Sequence, residues 1–171
     1  MSQPPTAQGN DGLIQRLARL GLRVTSALAF LAPLVTRVVM GVCFFVDGRG
    51  KLQHLAKVTG FFSDLGIPFP GANAAFISGL ECIGGIFLVL GLGTQIFAGL
   101  LSCTMLVAVL TADRDTFVQK FNADVSTVTD VTSFTYLVLL IWLVLYGPGP
   151  ASIDRFLSKW LGLNPKTGEA S

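Results

Sequence analysis

ANAAFISGLECIGGIFLVLGL, residues Ala72–Leu92, decides how the chain folds. It is 21 residues of nearly unbroken apolar sequence with one carboxylate, Glu81, near its middle. As a helix, a run of that length spans a hydrocarbon core of roughly 30 Å. A carboxylate at mid-depth costs on the order of 2.5–3.5 kcal/mol on insertion scales, so it demands a partner. Ser78, Glu81, Gly84 and Gly85 recur at three- and four-residue steps and share one helical face. The glycines remove bulk beside the acid and admit a second helix. The segment therefore reads as the middle of a bundle, with Glu81 turned inward toward a cation.

Arg37 is the first candidate for that cation. It lies at the centre of the preceding apolar run, 28–46, much as Glu81 lies at the centre of its own. At 1.5 Å per residue both sit roughly 13–14 Å from either membrane face. Antiparallel neighbours would bring them to one depth, so the sequence predicts a buried Arg37–Glu81 pair. Gly41, one turn beyond Arg37, would admit the Glu81 helix, and Lys51 would stand at the mouth of the pocket.

Composition supports a membrane setting. Of 171 residues, 51% are hydrophobic and 13% charged, and mean hydropathy is +0.66. Soluble domains carry about 25% charged residues. A net charge of +2 argues against nucleic acid as a partner. Cys43, Cys82 and Cys103 all fall in apolar runs without CxxC spacing, and His54 stands alone in a loop. Neither a disulfide framework nor a metal site follows.

The remaining segments order themselves around four apolar runs. Residues 1–11 are polar and Pro-rich, and 12–25 form a basic amphipathic helix suited to the membrane surface. A cleaved signal peptide is disfavoured by the long lead and by Arg37 within the apolar region. The loop 47–71 carries Leu52, Leu55, Thr59 and Phe62 at helical spacing, indicating a short interfacial helix before a Gly/Pro turn. Gly93 leaves room only for a tight hairpin into the third run, and the Asp-rich loop 113–130 has no calcium-loop pattern. GPGP at 147–150 ends the fourth run; Ser152 and Asp154 then begin a last interfacial helix, Asp154 supporting that helix's own N-terminus. The expected architecture is all-α: a transmembrane four-helix bundle over 26–163, with spans at about 28–46, 72–92, 94–112 and 131–146. Interfacial helices precede it, occupy its first loop and follow it at about 152–161; 164–171 is a flexible tail. Basic residues cluster beside the span ends in both terminal segments, which places the termini in the cytoplasm.

These residues resemble the DoxX family of small four-span bacterial membrane proteins, from about Pro33 to Leu157. The likeness rests on Arg37-x-x-x-Gly41, Phe45 followed by Gly48-Arg49-Gly50-Lys51-Leu52, and Gly66-Ile67-Pro68. It continues through Glu81-x-x-Gly84-Gly85, Leu90-Gly91-Leu92, Gly147-Pro148-Gly149 and Ser152-Ile153-Asp154. Asp47 stands where family members often carry histidine. The resemblance implies a bacterial inner-membrane protein tied to redox and sulfur chemistry. Relatives are subunits of thiosulfate:quinone oxidoreductase or anchors in complexes with superoxide dismutase and a sulfurtransferase. The wider superfamily includes non-enzymatic chaperones and cargo receptors, and fold alone does not fix activity.

Two functional readings follow. Arg37, Glu81 and Lys51 line a pocket for an anionic or quinone-like ligand, or they form a self-neutralising element that fixes helix register. No nucleophile–base set, phosphate loop, haem-ligand pair or nicotinamide fingerprint is present. The chain is thus expected to serve as an accessory or quinone-facing subunit of a membrane redox complex, alongside other protein subunits, or as a scaffold without chemistry. A small transporter is the weaker alternative, since no repeat supports alternating access.

Overall fold

A computed structural model of the chain describes residues 31–147, together with Gln15, Gly149 and Ser152–Asp154. The expected surface helix at 12–25, the start of the first span and most of the last helix lie outside the described residues. Those described form α1 (Leu31–Gln53), α2 (Leu55–Asp64), α3 (Pro70–Leu90), α4 (Thr94–Leu110), α5 (Arg114–Ala123), a 3-10 turn (Val125–Asp130) and α6 (Thr132–Tyr146). No strand occurs among them.

α1 and α3 are each long and apolar enough to cross a membrane. α4 and α5 reach that measure only as a pair bent by 74°, and α6 is a shorter apolar helix of 15 residues. α1 packs along α3 and α4 along α6, with α3–α4 and α1–α6 contacts joining the two pairs. Met40 and Phe44 of α1, Leu88 of α3, Ala98 and Leu101 of α4, and Leu140 and Leu143 of α6 meet in one core. Val35, Val39, Val42 and Val46 form an exposed stripe on α1, while Arg37, Ser78, Glu81, Thr94 and Ser133 are buried. Apolar outside and charge inside is the distribution lipid imposes.

Glycine sets the helix separations. A Cβ on Gly85 would lie 2.5 Å from the Phe45 amide nitrogen and 2.6 Å from the Gly41 carbonyl oxygen. Gly84 looks the other way, toward Leu101 of α4, so the adjacent glycines serve different neighbours. Gly48 rests on the α3 backbone, where a Cβ would lie 2.8 Å from the Ser78 carbonyl oxygen. This close approach keeps α1 helical through Gln53, where the sequence suggested a loop from residue 47. Lys51 in its last turn also complements the negative helix end.

The α3–α4 link is the tight hairpin that Gly93 foretold. Gly91 adopts φ 70° and closes α3 with Gly91 N–H to Leu88 O at 3.1 Å and Leu92 N–H to Phe87 O at 3.0 Å. The Asp-rich loop is mostly helix rather than coil. There Phe117 packs against Phe121 and Phe134, and Lys120 bonds Asp130 at 2.9 Å. Ser133 donates a short hydrogen bond to Asp113. The Ser126 amide donates to Asp124 at 2.9 Å and holds that carboxyl below its ordinary pKa.

Candidate functional site: a cavity walled by the Lys51–Glu81 pair

The antiparallel register of α1 and α3 determines which charges meet. Gly41 lies against Gly85 and Val89, and Gly48 against Ser78 and Cys82. Glu81 is therefore carried to the last turns of α1, where Lys51 Nζ donates to both carboxylate oxygens at 2.6 Å. Glu81 is 1% exposed and the Lys51 side chain 39%, so the pair bridges the buried interior and the surface.

The expected Arg37–Glu81 pair does not form. Arg37 lies against Gly91, where a Cβ would fall 2.6 Å from its guanidinium carbon, and it interacts electrostatically with Asp154. Gly91 is ten residues beyond Glu81, about 15 Å along the helix. Arg37 and Glu81 each sit mid-run, but backbone fit rather than depth sets the register. Asp154 also departs from expectation: its carboxylate accepts from the backbone N–H of Gly93 at 2.7 Å and of Thr94 at 3.0 Å, serving the start of α4.

Lys51 and Glu81 form part of the wall of a cavity of about 300 Å³ between α2, α3 and α4. Its volume is at the small end of the roughly 300–1,000 Å³ typical of small-molecule sites. Phe61, Phe62, Ile77 and Met105 make much of the lining, and Lys57 adds a second cation. The lining threonines spend their protons at home: Thr104 Oγ1 donates to Leu101 O at 2.9 Å and Thr111 Oγ1 to Val107 O at 2.7 Å. The cavity thus suits a small apolar body with a polar end near the Lys51–Glu81 pair. No group of three or more His, Cys, Asp or Glu suited to a metal occurs among the described residues.

The DoxX family model matches residues 32–114, which include Lys51, Lys57 and Glu81. A Bacillus subtilis protein named "Putative oxidoreductase CatD" is 32% identical over 131 residues, covering 75% of this chain and 89% of the relative. The chain belongs to the DoxX family. The Escherichia coli inner membrane protein YqjF is 29% identical over 127 residues, covering 74% of this chain and 92% of that protein. No solved structure matches at a significant level. With its apolar helices, this DoxX protein is a bacterial inner-membrane protein in contact with the lipid bilayer.

Sequence reasoning missed Lys57, Phe61 and Met105 in this DoxX cavity. The helical spacing of Leu52, Leu55, Thr59 and Phe62 signalled α2, but only the fold shows α2 lying over α3 and beside α4. Gly41, Gly84 and Gly85 lie at helix contacts, and Lys51 and Glu81 at the cavity. Arg37 lies away from it.

Proposed function

We propose that this DoxX protein is a four-span accessory subunit or anchor of a membrane-associated redox complex, of the sulfur or oxidative-stress kind. Its termini face the cytoplasm, and its cavity receives a quinone-like ligand. The observation that carries the reading is the apolar cavity with the buried Glu81 carboxylate in its wall. A quinone ring would pack on Phe61 and Phe62, and a hydroxyl or carbonyl would meet Glu81 or Lys51. The Glu81 carboxylate would take up a proton while the half-exposed Lys51 ammonium releases one of its own to water, and the amine so freed would then accept the proton from Glu81. The name of the Bacillus subtilis relative points the same way. The described residues hold no self-sufficient catalytic set, so electrons would come from a partner subunit.

One observation favours a second reading, a scaffold or assembly factor without chemistry. Lys51 and Glu81 satisfy each other at 2.6 Å, which leaves neither charge uncompensated. The two readings separate on extraction. The protein is solubilised from native membranes, purified, and analysed for bound quinone and co-purifying polypeptides. A stoichiometric quinone or a redox enzyme in the eluate is expected; absence of both favours the scaffold.

A further inference from the structure

The other end of the helices holds a second polar assembly that the cavity does not use. α3 ends and α4 begins within the turn at Gly91–Gly93, so a carbonyl end and an N–H end stand side by side. Each end has a charge of the matching sign. Arg37, 2% exposed, lies against Gly91 at the carbonyl end of α3. Asp154 takes the Gly93 and Thr94 N–H groups at the head of α4, while its own N–H donates to Gly91 O at 3.1 Å. A carboxylate here meets two backbone donors, a positive helix end and a buried guanidinium together.

Two further observations mark this as a receptor rather than a simple cap. Thr94 Oγ1, at the head of α4, is fully buried and has no hydrogen-bond partner, so the site holds a polar atom that Asp154 leaves unused. The segment that delivers Asp154 is seated separately: Gly149, at φ 71°, rests on the Pro33 ring of α1, with Cβ room of only 2.9 Å. Nearby, Gln95 Nε2 donates to Val144 O at 3.0 Å. An occupant supplied from 60 residues away is a tethered ligand of the α4 N-terminus.

We propose that Arg37 and the α3–α4 turn form a carboxylate-binding site. The C-terminal segment docks there through Asp154 as an exchangeable ligand, and a soluble carboxylate or oxyanion fills the same place when Asp154 is absent. The proposal is independent of the cavity and of any quinone.

Chemical rescue tests it. Full-length Asp154→Ala in detergent is melted with sodium acetate, sodium sulfate or sodium chloride at equal ionic strength. The variant is expected to lose thermal stability and to regain most of it in acetate or sulfate but not in chloride. Sulfate strengthens burial in any protein, so the regain is scored as the excess of the variant's response to each salt over the wild type's response to the same salt. Adding Arg37→Gln should abolish the regain. Acetate acting no better than chloride, or rescue that survives Arg37→Gln, overturns the proposal. Should Asp154→Ala not fold, Asp154→Asn keeps a side-chain acceptor while losing the charge. Trypsin should then cut after Arg155 about tenfold faster than in the wild type, the worth of a charge-assisted bond. Equal cutting rates overturn the docking.

Discussion

Removing Lys51 and removing Glu81 should not cost the same, although they form one ion pair. Glu81 is 1% exposed, whereas the Lys51 side chain is 39% exposed. In Lys51→Met the carboxylate stays buried without its two 2.6 Å donor contacts and must take up a proton or remain an uncompensated charge. Breaking a buried pair by deleting one partner costs about 3–5 kcal/mol. Partial access to solvent on the lysine side places the expected loss near the lower bound, about 3 kcal/mol. In Glu81→Gln the ammonium is left over, but its flexible stem lets the charge reach water, and the amide fills the same space. That loss should be about 1 kcal/mol. The double variant, with both charges gone, should be more stable than Lys51→Met alone. Equilibrium unfolding in mixed detergent, with the four proteins compared as a double-mutant cycle, reads the coupling directly. Equal losses for the singles, or a double loss equal to their sum, would refute the pairing and the asymmetry inferred from burial.

Gly85→Ala should destabilise by about 1–3 kcal/mol, because the new methyl meets backbone atoms of Phe45 and Gly41 that no rotamer change can move. Gly50→Ala, on α1, has open space and should be neutral or stabilising by up to about 1 kcal/mol; the two melts check the contrast. Met105→Trp should fill the cavity and abolish binding of a short-chain quinone analogue, read by equilibrium dialysis, while leaving thermal stability within a few degrees. Asp124 is held low by the Ser126 amide. Its contribution to the α5–α6 link is complete above the ordinary Asp pKa of about 3.9 and fades as pH falls through the lower folded value. Amide exchange at Ser126 should accelerate in that acid range, and Asp124→Asn should remove the pH dependence.

Much of the helical layout was legible because periodicity and breakers are local. Apolar runs, the Gly91–Gly93 turn and GPGP gave α3, α4 and α6 to within a few residues. The extension of α1 to Gln53 was not legible, because Asp47-Gly-Arg-Gly-Lys51 is polar and glycine-rich and reads as a loop. What keeps it helical is a distant contact, Gly48 seated on Ser78 and Cys82. α5 was hidden for a similar reason. Its aromatic stripe, Phe117 and Phe121, packs on Phe134 from beyond the 3-10 turn, and four aspartates around it masked the pattern.

The exchange of partners at Glu81 shows which residues carry register in a lipid-embedded pair. Pairing charges by depth assumes that two apolar runs align centre to centre. Hydrocarbon does not enforce that alignment, because sliding one apolar helix along another changes little burial. Backbone proximity enforces it instead. Gly41 and Gly85 touch, so antiparallel geometry puts residues before Gly41 beside residues after Gly85, and Arg37 goes to Gly91. Sliding α3 to bring Glu81 opposite Arg37 would move it by about 15 Å and set Gly85 beside Pro33, removing every close glycine contact between these helices. The same register carries Glu81 past the centre of α1 to its basic end. Read from the glycines first, the sequence pairs Glu81 with Lys51 and leaves Arg37 for the turn at Gly91.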